Sequence, residues 1–519
     1  MPRHPLASLL VGAAALGAAT LGAGCDSLLE PEPLGVIVLE NDVSSPEGAR
    51  SYANGFYQQL HGIYASFQAP MINVLEATTD DGWPRAQYLG GYKEREMDGS
   101  EGELNSLWAA QLTTVSRINL YLDIEGNGTI DWTGEGALRN QLLGEAHFFR
   151  AYYYFNLVRV FGAVPIYTEP LREVADAQGT RAPVPAVYDQ IKTDLNRAVE
   201  LLPPTQTGDD VGRVTSHAAR AVLAKVHLTL EEWQSVLDVT AGITGKRLNA
   251  RYIDNFYGLL NSTANENGAE SILEVQLTGL GEGPKSQVRV SYAPQTTQGQ
   301  GLGQILPTSP FYATDDPLVA GASGPNGFEG AFEQGDARRD VILSRYDLAL
   351  PQTDSYFLPP GQDANGPDTA DIEPHVYKWW SSVPGDQTRW NVPLYRFAEV
   401  LLMRAEALVE LGRPGEAVPL VNQIRQRAGL PALGADIDDQ AEVRAAVRQE
   451  RRIEFAFEYK RLFDLNRWGI LTDVLTPQGV TIAAGKVTRH PITGKPEVLF
   501  PIPNNELSNN PNATQNPGY

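Results

Sequence analysis

The sequence predicts a mainly α fold: a tetratricopeptide-like solenoid of helical pairs with a loop-rich variable region containing a few short strands. Three observations carry this. Apolar residues recur at three- and four-residue spacing through the first half of the chain and again near its C-terminus. The turn Gly412-Arg413-Pro414-Gly415 divides two such stretches into a helical hairpin. Between them, from about Gly245 to Pro393, Gly, Pro, Asn, Gln, Thr and Asp dominate.

The elements follow in order. Residues 44–67 read as a helix, because Ser44-Ser45-Pro46-Glu47 offers an N-cap, a first-turn proline and an early acid. Residues 101–124 and 136–161 read as the next two, the latter with Leu142, Phe149 and Tyr153 at helical spacing. In 185–202, Val187, Ile191, Leu195, Ala198 and Leu202 step by three and four, and Pro203-Pro204 stops the helix. Residues 215–230 and 231–243 form a helix-turn-helix pair. Residues 393–411 and 416–428 form a clearer one, with Leu401, Ala405 and Leu408 on one face and Ala417 in the second helix. Such units cannot bury their faces alone, so several must stack. In the variable stretch, runs such as Ser271 to Leu277 read as short strands.

The N-terminus has a different character. Met1-Pro2-Arg3-His4 is a short basic start, and residues 6–24 carry no charge, which gives 1–24 the shape of a secretory signal peptide. It ends at Cys25, the one cysteine, behind Leu21-Gly22-Ala23-Gly24. This resembles a bacterial lipobox with Gly22 where leucine is usual. Acylation of Cys25 would hold the protein on a bilayer without a membrane-spanning helix. Residues 25–43, rich in acids and prolines, read as a tether.

Charge and motifs narrow the function. Asp plus Glu number 63 against 41 Lys plus Arg, a net charge of −22. Such a surface repels phosphate backbones, so nucleic acid is a poor partner, while neutral sugars fit. The histidines show no metal-ligand spacing, and no Gly-x-Ser-x-Gly elbow occurs. Gly279 to Gly283 lacks the strand-to-helix setting of a nucleotide loop. Asp436-Ile437-Asp438-Asp439 begins like a calcium loop, but Val447 stands at position twelve, so a helix cap is the better reading. Asp80-Asp81 and Asp315-Asp316 are acid pairs of the kind a glycosidase uses, though pairs in polar loops are usually solvated or turn-forming.

Four segments together resemble the signature of the SusD/RagB family of surface lipoproteins. They are residues 145–165 with Tyr152-Tyr153-Tyr154-Phe155, residues 394–407 with Arg404-Ala405-Glu406-Ala407, residues 450–469 with Glu450-Arg451-Arg452-Ile453-Glu454 and Asn466-Arg467-Trp468-Gly469, and residues 500–519 with Phe500-Pro501-Ile502-Pro503. The resemblance implies one SusD-like domain over 44–519. Its helical half would be about 44–245 and 393–470, its ligand-facing insertion about 246–392, and its closing segment about 495–519. It also implies a non-catalytic protein without cofactor, anchored on the outer membrane and facing outward. Such a protein captures an oligosaccharide, or less often a peptide, and acts as a lid for a SusC-like TonB-dependent transporter. A repeat scaffold and a glycan-degrading enzyme are the alternatives.

Read physically, the signature segments are structural. The aromatic run suits a packed helix, and Glu450, Glu454 and Glu458, four apart, would repel on their own; Arg451, Arg452, Arg461 and Arg467 are near enough to neutralise them in a buried charge network. Sugar C–H faces stack on aromatic rings and hydroxyls need polar partners. Trp83, Tyr88, Trp379, Trp380, Arg389 and Trp390 are therefore the candidate ligand-binding residues.

Overall fold

Caps and prolines start several helices where the sequence places them. The computed structural model describes residues 43–66, 69–84, 90–277, 288–292, 304–307, 328–347, 372–380, 389–434 and 437–519. The expectations for Cys25, the tether, Tyr88, 279–283, Asp315-Asp316 and Asp436 lie outside the described residues.

The principal helices are α1 (Pro46–Tyr64), α2 (Pro70–Glu76), α3 (Gly102–Gly126), α4 (Gly136–Phe161), α5 (Val184–Leu201), α6 (Ser216–Thr229), α7 (Trp233–Thr240), α8 (Phe397–Glu410), α9 (Pro414–Arg427), α10 (Gln440–Glu454) and α11 (Arg461–Trp468). Ser45 Oγ accepts from Gly48 N at 3.1 Å, Thr215 Oγ1 from Ala218 N at 3.2 Å and Asp439 Oδ1 from Glu442 N at 2.9 Å, each satisfying a first-turn donor. Asp439 thus serves as the cap expected of it.

α4 is the centre of the first half. Gly144 to Phe161 is almost wholly buried, on every side of the helix. An all-round apolar helix must be covered on all faces. α1, α3 and α5 do so, and Tyr153 Oη donates to Phe56 O across the α1 contact. The packing then runs α5 to α6, α6 to α7, α7 to α8, α8 to α9, and α10 against both α8 and α9. Helices α7 and α8 are separated by the whole variable stretch yet touch: Arg404 Nη1 donates to Thr240 Oγ1 at 2.9 Å. The solenoid is continuous in space although the chain leaves it.

The exit and return are paired. The strands are β1 (Gly82–Pro84), β2 (Ser271–Val275), β3 (Ile305–Pro307), β4 (Leu343–Asp347), β5 (Ile372–Val376), β6 (Val392–Arg396), β7 (Val487–Arg489) and β8 (Pro496–Val498). Among the described residues they form four two-stranded antiparallel ribbons, β1–β3, β2–β6, β4–β5 and β7–β8. β2 leaves the solenoid and β6 re-enters it, so the ribbon β2–β6 is the stem of the insertion. Both strands are buried throughout.

The stem corrects one sequence reading. The helix expected from Pro393 begins at Phe397, and Val392–Arg396 is a strand. A buried backbone must find partners for its N–H and C=O groups, and β2 supplies them. Pro393 favours extended backbone in Val392, which also suits the strand.

Candidate functional site

Glu450 and Glu454 lie on one face of α10, and Glu458 follows in the turn beyond it. All three are buried, and burying them together is tolerable only if cations reach them. Arg396 Nη1 meets Glu270 Oε1 and Glu454 Oε1, both at 2.8 Å, and its Nη2 meets Glu458 Oε1 at 2.9 Å. Arg427 pairs with Glu270 at 2.9 Å and also with Glu454, Arg338 pairs with Glu450 at 2.5 Å, and Lys378 pairs with Glu458 at 2.8 Å. Burial pushes the Glu454 carboxyl up, but Arg427, Arg396 and Arg338 outweigh it and hold the group down at about 2.

The buried network expected from sequence is present, but its partners differ. Arg451 and Arg467 turn to Asp464, at 3.1 and 2.9 Å, and Arg467 also reaches Glu406. Arg452 and Arg461 turn to the acid pair, meeting Asp81 at 2.6 Å and Asp80 at 2.7 Å. A step of one or two residues rotates a helical side chain by roughly 100 to 200°, away from the glutamate face. The cations that answer the glutamates come instead from α9, β6 and the insertion.

The acid pair serves the ribbon that carries Trp83. Asp80 and Asp81 are 3% and 0% exposed and are closed off by Arg452 and Arg461, which removes them as a catalytic pair. Burial raises Asp80, but Arg461 and Arg452 prevail and hold it below the usual carboxylate range. Gln478 Nε2 donates to Asp80 O at 3.0 Å, and the buried Lys93 Nζ donates to Gly82 O at 3.0 Å and to Thr79 O. Burial lowers the Lys93 ammonium to about 8. Gly82 is required: a Cβ there would sit 2.4 Å from Glu76 O. Trp83 is therefore a half-buried ring on a braced strand, paired in register with Leu306 and 5.2 Å from Lys93 Nζ.

A second structure meets this ribbon through Glu76. Phe457 and Tyr459 have φ of 56° and 64°, left-handed conformations costly for aromatic residues. The turn is clasped from several sides. Glu76 Oε1 accepts from Tyr459 N at 2.8 Å, Trp379 Nε1 donates to Phe457 O at 3.0 Å, and Lys378 donates to Ala456 O. Trp379 also stacks on Tyr459, centroids 6.4 Å apart at 20°. Glu76 thus joins the strand of Trp83, through its backbone, to the turn that holds Trp379, through its side chain.

The candidates from sequence occupy different settings. Trp379 is half-buried with its indole N–H spent inside the protein. Trp380 is half-buried, its backbone N–H bonded to Tyr377 O at 2.7 Å. Trp390 is buried at the foot of β6, with the exposed Arg389 guanidinium 4.8 Å from its ring centroid. Trp83 and Trp379 are linked through Glu76, whereas Arg389 and Trp390 belong to the stem ribbon. Sequence reading missed Glu76, Lys93 and Tyr459. A buried Lys or Glu reads like an exposed one, and only the run of signature residues around Tyr459 gave a signal.

Comparison with known proteins supplies the lineage. A profile described as "SusD family" matches residues 326–519, and one described as "Starch-binding associating with outer membrane" matches 43–228. A SusD-like protein of Formosa agariphila is 26% identical, over 95% of this chain and 96% of its own. A SusD superfamily protein of Parabacteroides distasonis superposes with a TM-score of 0.71 at 25% identity, covering 91% of this chain and 99% of its own. A laminarin-binding SusD-like protein gives 0.69 at 25%, with the same coverage. Two profiles that together span most of the described residues, and relatives aligned along nearly the whole length, establish that the chain belongs to the SusD/RagB family.

Proposed function

We propose that this protein is a glycan-capture lipoprotein of the bacterial cell surface. It is anchored through acylated Cys25 and works as a lid for a SusC-like TonB-dependent transporter. The observation that carries the reading is the braced β1–β3 ribbon. An aromatic ring is held half-buried on a rigid strand, beside the insertion that the family resemblance assigns to the ligand. The laminarin-binding relative supports a neutral glycan as the ligand class, as does the net charge of −22. The reading is binding rather than hydrolysis, and the commitment of Asp80 and Asp81 to Arg461 and Arg452 supports it.

The test is a glycan and peptide screen on the chain lacking residues 1–25, with hydrolysis assayed in the same wells. Saturable glycan binding without product, weakened at least tenfold by Trp83→Ala, is expected. Undiminished affinity in a folded Trp83→Ala variant removes that ring from the site, and product release makes the protein an enzyme. Loss of membrane retention in Cys25→Ser, and recovery of the transporter with the unaltered chain, test the anchor and the lid.

A further inference from the structure

A cleft of about 390 Å³ opens on the helical half, lined by none of the candidate ligand-binding residues. Its floor is the α3 face around Trp108 and Leu112. One wall is the 167–177 segment with Tyr167, and the other is the C-terminal helix with Asn505 and Glu506.

The walls come from three distant parts of the chain and are tied to one another. Trp108 Nε1 donates to Glu506 Oε2 at 3.0 Å, Asn505 Nδ2 to Asn105 Oδ1 at 3.0 Å, and Gln178 Nε2 to Asn509 O at 2.9 Å. Tyr167 is fixed at both ends: its N–H bonds Tyr154 Oη at 2.7 Å and its hydroxyl donates to Ala177 O at 2.6 Å. The cleft is therefore formed before any ligand arrives, and a rigid cleft spares the ordering cost of binding.

Its chemistry is that of a neutral polyol site. The floor is apolar and aromatic. The rim carries amides, the hydroxyls of Thr113 and Ser116, one guanidinium (Arg117) and one carboxylate (Glu506). Charge is balanced across the cleft, which favours neither an anion nor a cation. The volume lies within the range of small-ligand sites, roughly 300 to 1,000 Å³, and suits one or two pyranose rings.

We propose that this cleft is a second carbohydrate-binding site, walled by α3, the 167–177 segment and the C-terminal helix. The proposal rests on the glycan-capture reading and adds a subsite lined by no residue of the insertion. A second contact on one chain raises retention of a long glycan by effective concentration, without new affinity at the first.

The test is calorimetric titration of the chain lacking residues 1–25 with laminarihexaose, and separately with maltoheptaose, alongside Trp83→Ala and Ala109→Trp. Ala109 is exposed on α3, so a tryptophan there fills the cleft without touching the core. Asn505→Ala, also on an exposed residue, serves if that variant fails to fold. The expected result is two binding events per chain, one removed by Ala109→Trp and the other by Trp83→Ala. A single event that Ala109→Trp leaves intact overturns the second site and spares the capture reading. No event with the unaltered protein and either sugar overturns both. Unchanged sugar binding with loss of the transporter from Ala109→Trp preparations also overturns the proposal and gives the cleft to protein contact.

Discussion

At the scale of single residues, Glu76 does two things that conflict in water and agree in the fold. Its carboxyl accepts the Tyr459 N–H, while burial pushes its pKa up to about 8. Asp81 and Glu458 push the same way, and Lys378 and the Tyr459 N–H oppose them. Tyr292, which also faces it, is itself raised by burial and by Glu76. The sign follows from proton counting. Between the ordinary value of 4.5 and about 8 the folded protein holds a proton the unfolded chain has lost, so this group costs stability as pH rises across that window. Glu76→Gln keeps an oxygen for Tyr459 and removes the titration. The variant should gain melting temperature relative to the parent at pH 8.5 and differ little at pH 4.5. Equal differences at both pH values would mean that Glu76 does not change its proton count on folding.

At the scale of elements, the helices were legible because their signals are local. Ser45, Thr215 and Asp439 sit where caps belong, and the apolar spacing of 185–202 maps onto α5. The cap of α10 predicts its own loss: Asp439→Ala should cost about 1 kcal/mol in chemical denaturation, and Asp439→Ser should restore most of it. A cost below about 0.3 kcal/mol would assign the capping work to water instead. The β6 strand was not legible, because the five residues that form it touch a helical pattern at Phe397 and their pairing partner lies more than a hundred residues earlier. The same distance hid the cations of the glutamate face. Arg338, Lys378 and Arg396 are remote in sequence from Glu450, Glu454 and Glu458, while Arg451 and Arg452 are adjacent and point elsewhere. The candidate aromatics were visible as residues, but their settings were not, since burial of an indole depends on contacts the spacing does not encode.

At the scale of the whole molecule, the buried ion network fastens the insertion to the solenoid. Glu270 lies at the root of β2, Arg338 and Lys378 in the insertion, and Glu450, Glu454 and Glu458 on α10 and the turn after it. Burial costs such charges heavily, and removing one partner strands the others, an expense of about 3 to 5 kcal/mol. Arg396 is the central link, serving Glu270, Glu454 and Glu458 at once. Arg396→Met should therefore be destabilised by that amount at pH 7. The acid limb then separates charge from packing. Glu454, beside Arg396, and Glu399, paired elsewhere with Lys225, Lys460 and Arg451, are held at about 2, below their ordinary 4.5, so the folded state binds fewer protons than the unfolded one between these values. Their contribution is complete above about 4.5 and disappears as pH falls through 2. Denaturant titrations followed by circular dichroism should show the parent weakening through that window. They should also show the gap between parent and Arg396→Met shrinking, because a protonated Glu454 no longer needs the guanidinium. A gap that stays constant down to the lowest pH at which both remain folded would mean that Arg396 holds the insertion by packing against Tyr252 and Phe455, whose ring centroids lie 5.8 and 5.0 Å from its guanidinium.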